Sequence, residues 1–423
     1  MSRDLDTMGP EQISRIRALV AERVPFLGPG LILGISSAGW VGLLVFLSLG
    51  ANFGYALLWA VAGVIVYKYA FTIGCARYTV ATGENIYAGL QRIPGLRNWQ
   101  VLFIGAIYVV EIVYHAGGAV VAASLLASLL PAAVPVQYAM IALFALITLV
   151  LFKNSYPLFK KVMVVAGAII VGGMCLNFLS LYLSPIEVVQ GLVAPDLGNE
   201  DHLYYAGLVM CSLGTGLSLL CYTMWLQQQL GKRHGEAFYW AHMRSVRFDL
   251  ALGFVLLAAL SFFYLTLGFV AMNEHGLPAF EQDLMIRVIG HSLGAVPYGM
   301  TVFVITSLLT LFVYLIGAMD GRARAIASIL RQTVQTRFSE DGLYRGVVLA
   351  FAAIFIVFSY VGSKYTIKDV LTLSVFMFGL VGFMLLWLDR HLPAYARGSA
   401  VWYAVMLVGS VLFPIGAVAY WGM

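Results

Sequence analysis

Charge is scarce in this sequence. Asp, Glu, Lys and Arg together make up 11% of 423 residues, against 61% hydrophobic, and a chain so poor in solvated side chains is not a soluble multidomain enzyme. Cysteine is sparse as well. Cys75, Cys175, Cys211 and Cys221 fall in or beside apolar segments and form no CxxC pair, so they read as buried thiols and not as a zinc or redox centre. Also missing are a phosphate-binding loop, an HExxH pair, a nucleophile elbow and a carboxylate cluster suited to a primary pump. The chain therefore reads as a non-enzyme with no cofactor and no metal ligand set. The net charge of +5 would point to nucleic acid only if topology did not account for the basic residues, and it does.

What is abundant is apolar length. Apolar segments run at approximately 27–49, 53–76, 99–129, 136–152, 162–183, 203–229, 248–272, 297–319, 346–361, 368–388 and 400–420, eleven spans of a polytopic, all-α membrane protein. With a cytoplasmic N-terminus, twenty-one of the 25 Lys and Arg fall on the inner side, three (Arg287, Lys364, Lys368) on the outer side, and Lys68 in mid-membrane. The positive-inside rule supports this count and orientation, and a bacterial-type inner or plasma membrane is the expected location. Residues 1–25 alternate charges with Ile13, Ile16, Leu19 and Val20 at helical spacing, as in a short interfacial helix and not a secretory signal.

Two spans are interrupted. Gly34-Ile35-Ser36-Ser37-Ala38-Gly39-Trp40-Val41-Gly42 puts small, helix-weak residues where an ordinary span carries Leu and Ile, and Ser212-Leu213-Gly214-Thr215-Gly216-Leu217-Ser218 does the same at mid-chain. In a bilayer, backbone freed by an unwound turn is tolerated only where protein or a water-filled cavity satisfies it. Paired interruptions in corresponding segments of two halves point to a transporter's mid-membrane binding site. The plainer alternative is close helix packing through small residues. Breaks in spans one and six fit two inverted five-span repeats, about 27–183 and 203–388, with an extra helix at about 400–420, all within one transporter domain over 26–423. Candidate solute contacts are Ser36, Ser37, Gly39 and Trp40 at the first break, and Ser212, Thr215, Ser218, Tyr222 and Trp225 at the second.

Ionisable residues deep in spans are few, and each is expensive there. Glu111 and His115 lie four apart on one helix face, in position for a hydrogen-bonded pair or a proton relay. Lys68 must face protein or a cavity, with Glu111 a candidate partner. These three are the candidate proton-coupling residues. Asp320, beside Arg322 and Arg324, reads as an interfacial ion pair, and Ser307 and Thr310 as residues able to satisfy their own helix.

A family is visible in the motifs. Gly28-Pro29-Gly30, Gly50-Ala51-Asn52-Phe53-Gly54-Tyr55-Ala56-Leu57-Leu58-Trp59, Ala76-Arg77 and Ala81-Thr82-Gly83 resemble the first two spans of the Nramp divalent-metal transporters. Weaker echoes follow in the third span, at Leu213-Gly214-Thr215, at Arg247-Phe248-Asp249-Leu250 and at Ile316-Gly317-Ala318-Met319-Asp320-Gly321. The resemblance implies a LeuT-type fold, a 5+5 inverted repeat plus one helix, and transport of a divalent metal. The departures fall on the family's working residues. Its first-span Asp-Pro-Gly-Asn motif falls on Gly39, Trp40, Val41 and Gly42, and its sixth-span Met-Pro-His motif on Ser218, Leu219 and Leu220. Its later sixth-span His falls on Trp225, and its third-span acidic pair on Ile112 and His115, with Glu111 one position away.

The reading is an Nramp-like secondary-active transporter working by alternating access, with protons as the candidate coupling ion. Its partners are a small solute or ion and the lipid bilayer, with no nucleic acid. A site of hydroxyls and carbonyls would hold a transition metal weakly. The competing substrate is a small organic solute, including an amine that could use the aromatic faces. A non-transporting membrane scaffold or sensor is the third alternative.

Overall fold

Long apolar stretches can satisfy their backbone in lipid only as helices or closed barrels, and in a computed structural model of the chain every one of the eleven apolar segments is helical. The structure describes residues 28–130, 134–178, 181, 185–193, 200–213, 216–272, 298–334, 337–361 and 367–422. The interfacial helix expected in 1–25 lies outside the described residues. The first segment is two helices, α1 (Pro29–Ser36) and α2 (Trp40–Phe53). Next come α3 (Leu58–Thr82), the short α4 (Ile86–Leu90), α5 (Trp99–Ser128), α6 (Val136–Phe152), α7 (Tyr156–Phe178) and α8 (Pro185–Val193). The sixth segment is α9 (Glu200–Ser212), a 3-10 turn over Gly216–Cys221, and α10 (Tyr222–Leu230). The chain finishes with α11 (Glu236–Met272), α12 (Gly299–Thr333), α13 (Glu340–Val361), α14 (Ile367–Arg390) and α15 (Ala400–Gly422). Among the described residues, eight spans are long and apolar enough to cross a membrane by themselves, and Gly42–Phe53 and Val136–Phe152 are shorter apolar helices.

Both interruptions are real breaks in the helix. Gly39, at φ 56, turns the chain between α1 and α2, and Gly216, at φ 43, opens the 3-10 turn; a side chain at either position would strain this backbone. The freed ends of α1 are not left bare. At its N-terminus the carboxylate of Asp249, on α11, accepts from the backbone N–H groups of Gly28 (3.0 Å), Gly30 (2.6 Å) and Leu31 (3.3 Å). That carboxylate does the work of a side-chain cap from another helix and meets the positive end of the α1 dipole.

α11 also holds both halves of the first span by close backbone approach. A Cβ at Gly34 would lie 2.0 Å from the carbonyl oxygen of Gly253, and one at Gly50 would lie 1.8 Å from that of Leu265. Small residues let helices approach this closely in a membrane, where dispersion and not water exclusion drives packing. Arg77 of α3 bonds Asp389 of α14 at 2.6 Å and stacks on Trp402 of α15 at 4.0 Å. Asp389 also accepts from the Gly398 N–H and the Tyr403 hydroxyl, each at 2.8 Å. The last helix is thereby tied to the rest by a buried charge pair and not only by apolar contact.

The glycine contacts make a testable contrast. Gly253→Ala is expected to lower stability by about 1–3 kcal/mol through overpacking. Gly63→Ala, on a helix face with nothing within 4 Å of the new methyl group, is expected to be neutral or to stabilise by up to about 1 kcal/mol through helix propensity. Thermal unfolding of the two purified variants measures the difference.

Candidate functional site

The two breaks meet on α12. Gly317 and Gly321 are one turn apart and share a face. A Cβ at Gly317 would lie 2.7 Å from the Cβ of Ser36, and one at Gly321 would lie 2.8 Å from the Cβ of Cys221. The first break is pressed against one glycine and the second against the other. Ser36 and Ser37 are both buried. The Ser36 hydroxyl donates to the Leu33 carbonyl at 3.2 Å, and the Ser37 N–H closes α1 on the same carbonyl at 2.9 Å. Gly39 stands just before α2, whose N-terminus has no side-chain cap. The side chains of Trp40 and Ser212, and all of Thr215, lie outside the described residues.

The 3-10 turn of the second break is held from three sides. Tyr108 of α5 donates to the Leu217 carbonyl at 2.9 Å, and Arg322 of α12 donates to the Ser218 hydroxyl at 2.6 Å. On the third side a side chain on Gly216 would run into Ser374 of α14. Arg322 also carries the central charge pair. Its Nη2 and Nε donate to one carboxylate oxygen of Glu111 at 2.6 and 3.2 Å, while the Ser374 hydroxyl donates to the other. All four groups come from different parts of the chain: α5, the 3-10 turn, α12 and α14.

This arrangement differs from the one expected for Lys68. Its ammonium donates to the backbone carbonyls of Leu213 and, at 3.4 Å, Met210, at the end of α9, and makes no bond to Glu111. The physical reason is geometric: a guanidinium fork can meet a carboxylate and a hydroxyl together, and the last carbonyls of a broken helix need donors. His115 likewise bonds the Glu111 backbone carbonyl, at 2.6 Å, and not its carboxylate. A carbonyl only accepts, so Nδ1 carries the proton in this bond and Nε2 is the bare nitrogen. Nε2 is buried with no hydrogen-bond partner among the described residues, and the ring stacks on Tyr314 with centroids 5.2 Å apart.

Asp320 makes the ion pair expected of it, with Arg324, and is fully buried within the protein, on a helix that continues past it to Thr333. Its oxygens accept from Arg324 Nε (2.9 Å), Trp225 Nε1 (2.7 Å) and the Tyr344 hydroxyl (2.6 Å). Trp225 is thus anchored by its one polar atom, and its ring packs on Phe159 at 5.8 Å. Tyr222 is completely buried and its hydroxyl has no hydrogen-bond partner among the described residues; the same holds for the Tyr156 hydroxyl. A buried phenol without a partner marks a position that a polar solute atom or a water would occupy.

Sequence reasoning did not find Arg322, Ser374, Gly317 or Gly321 as site residues. The available signal was the small-residue spacing Gly317-x-x-x-Gly321 beside a basic residue. Nothing in the local sequence marked Ser374, whose partner is 263 positions away. Among the described residues no three His, Cys, Asp or Glu side chains converge as a metal centre would need.

Comparison with known proteins places the chain. The family model for natural resistance-associated macrophage protein-like proteins (Nramp) matches residues 31–418. An uncharacterised protein of Pasteurella multocida (strain Pm70) is 22% identical over 346 residues, 78% of this chain and 75% of that protein. Among solved structures, the manganese transporter of Eremococcus coleocola, in complex with an aromatic bis-isothiourea substituted compound, superposes with a TM-score of 0.71 at 12% identity over 93% of this chain and 86% of that one. Mhp1, a nucleobase-cation-symport-1 family transporter in a closed conformation with bromovinylhydantoin bound, gives 0.62 at 14% identity over 93% and 90%. MhsT in complex with L-phenylalanine gives 0.57 at 14% identity over 94% and 98%. At such identities these likenesses show the fold alone, the LeuT-type fold with broken helices one and six. The family match runs through nearly the whole membrane-embedded chain, and the protein therefore belongs to the Nramp-like family of integral membrane transporters.

Proposed function

We propose that this chain is a secondary-active transporter in which residues 26–423 form a single transport domain and move a small organic solute by alternating access between the two breaks. The observation that carries the reading is the meeting of Ser36 and Cys221 on the adjacent glycines of α12, which brings both unwound turns to one place. The side chains offered there are hydroxyls and aromatic faces, and the carboxylates beside the breaks, Glu111 and Asp320, have both oxygens engaged. All three structures of this fold described above hold organic compounds: an aromatic bis-isothiourea substituted compound in the manganese transporter, bromovinylhydantoin in Mhp1 and L-phenylalanine in MhsT.

Charge narrows the solute class. Arg322 donates to Ser218 and the Lys68 side-chain nitrogen to the carbonyls of Met210 and Leu213, so the second break is rich in donors. At the first break the uncapped N-terminus of α2 presents the positive end of a helix dipole. Both features oppose a divalent cation or an amine and favour a solute with an acceptor or anionic oxygen. For coupling, we assign protons, with the bare Nε2 of His115 as acceptor and the Glu111–Arg322 pair as the charge that senses it; Lys68 holds α9 in place. The N-terminus is cytoplasmic and the membrane is of the bacterial inner or plasma type in this reading.

Screening solutes against thermal unfolding of the purified protein tests the substrate class, since a ligand at about 100 times its Kd adds roughly 2.7 kcal/mol to apparent stability. An organic oxygen acid or amide is expected to give a saturable shift and Mn²⁺ none; a saturable Mn²⁺ shift together with Mn²⁺ uptake into proteoliposomes would return the metal reading. Uptake of the solute so found is expected to survive Ser36→Ala and to vanish in Ser36→Phe, and unimpaired uptake by the latter in a folded protein would favour a scaffold. Glu111→Gln leaves Arg322 buried and unpaired, and is expected to lower stability by about 3–5 kcal/mol. The double variant Glu111→Gln/Arg322→Met should regain much of that loss without regaining uptake, as read by melting and transport assays on the same preparations.

A further inference from the structure

Lys68 is one of the most deeply buried side chains in the protein, 1% exposed. The bonds its ammonium makes are to backbone carbonyls, those of Met210 and Leu213, where α9 ends at the second break. Two aromatic faces close the site, Phe378 of α14 at 5.5 Å and Phe413 of α15 at 5.7 Å from the nitrogen to the ring centres. The carboxylate whose field reaches it, Glu111, is already bonded to Arg322 and Ser374. Carbonyl oxygens at the negative end of a half-helix, with π faces beside them, form the surroundings that a small free cation takes in broken-helix transporters.

We propose that the end of α9 is a cation-binding site whose occupant is the protein's own Lys68 ammonium, tethered from α3. The terminal carbonyls of a broken helix need a positive or donating partner, and the four-carbon stem delivers one permanently. No exchangeable Na⁺ or K⁺ is required at this position, and shortening the stem vacates a site that a small cation can enter. The inference rests on the geometry around Lys68 and not on the transport reading, so its test reads stability and stands whether or not a solute is found.

The experiment compares the wild type, Lys68→Ala and Lys68→Met, purified full-length, by thermal unfolding in sodium, n-propylammonium or choline chloride at equal ionic strength. The wild type is expected to melt at one temperature in all three salts. Lys68→Ala should melt several degrees lower in choline, whose bulk excludes it, and should recover saturably with sodium or n-propylammonium. Lys68→Met fills the stem's volume without a charge and should respond to neither. If Lys68→Ala does not survive extraction in choline, the yield of monodisperse protein with and without n-propylammonium is the same readout. No response of Lys68→Ala to either cation, or an equal response by the wild type or by Lys68→Met, would overturn the proposal.

Discussion

A carboxylate in the middle of a membrane is stable only where its charge is met, and in this protein the meeting of Glu111 with Arg322 is the constraint on which the site depends. An acidic side chain at the centre of a lone span disfavours insertion by about 2.5–3.5 kcal/mol. Here it is enclosed by a guanidinium at 2.6 Å and a serine hydroxyl, with both partners buried. The same guanidinium reaches Ser218, so satisfying the acid also fixes the unwound turn. Charge neutralisation and backbone geometry are solved by one residue. Any rearrangement of the second break must therefore move the pair with it or separate two charges in a low dielectric.

Two further carboxylates act as latches at the end of the bundle where the arginines gather. Asp249 grips the N-terminal amides of α1 from α11, and Asp320 grips Trp225 of α10 from α12. α1 and α10 are the half-helices of the two broken spans on that side. Each is fastened to a neighbouring long helix by a buried acid; α1 also meets Gly253 of α11 backbone to backbone, and Trp225 of α10 packs its ring over Gly321 of α12. Tight packing through glycine gives little room for gradual deformation, so a change of shape proceeds by releasing a latch and not by bending.

Much of this was legible in the chain. The eleven apolar segments and the two small-residue interruptions were visible because hydropathy and helix propensity are local properties. The Nramp-like resemblance followed from contiguous motifs such as Gly50–Trp59, and the family match over residues 31–418 agrees with it. What stayed hidden was pairing. Glu111 and His115 were found as residues, but the partner of the carboxylate lies 211 positions away on a stretch that resembled an interfacial cluster. The Asp320–Arg324 ion pair was legible from spacing, but not its bonds to Trp225 and Tyr344, nor that α12 runs on through these charges with all three buried. Lys68 was expected to face protein and is buried, yet sequence offered only side chains as partners, and its partners are carbonyls.

That last point bears on how the two broken spans are held. A broken span exposes two kinds of backbone end, the N-terminal amides and the C-terminal carbonyls of its half-helices. In this chain Asp249 meets the amides at the start of α1, away from the break at residues 36–39, whereas Lys68 meets the carbonyls where α9 ends at the second break itself. The N-terminus of α2, at the first break, has no side-chain cap. The second break is therefore held by a charge placed on its own freed carbonyls, and the first by the backbone contact of α1 and α2 with α11.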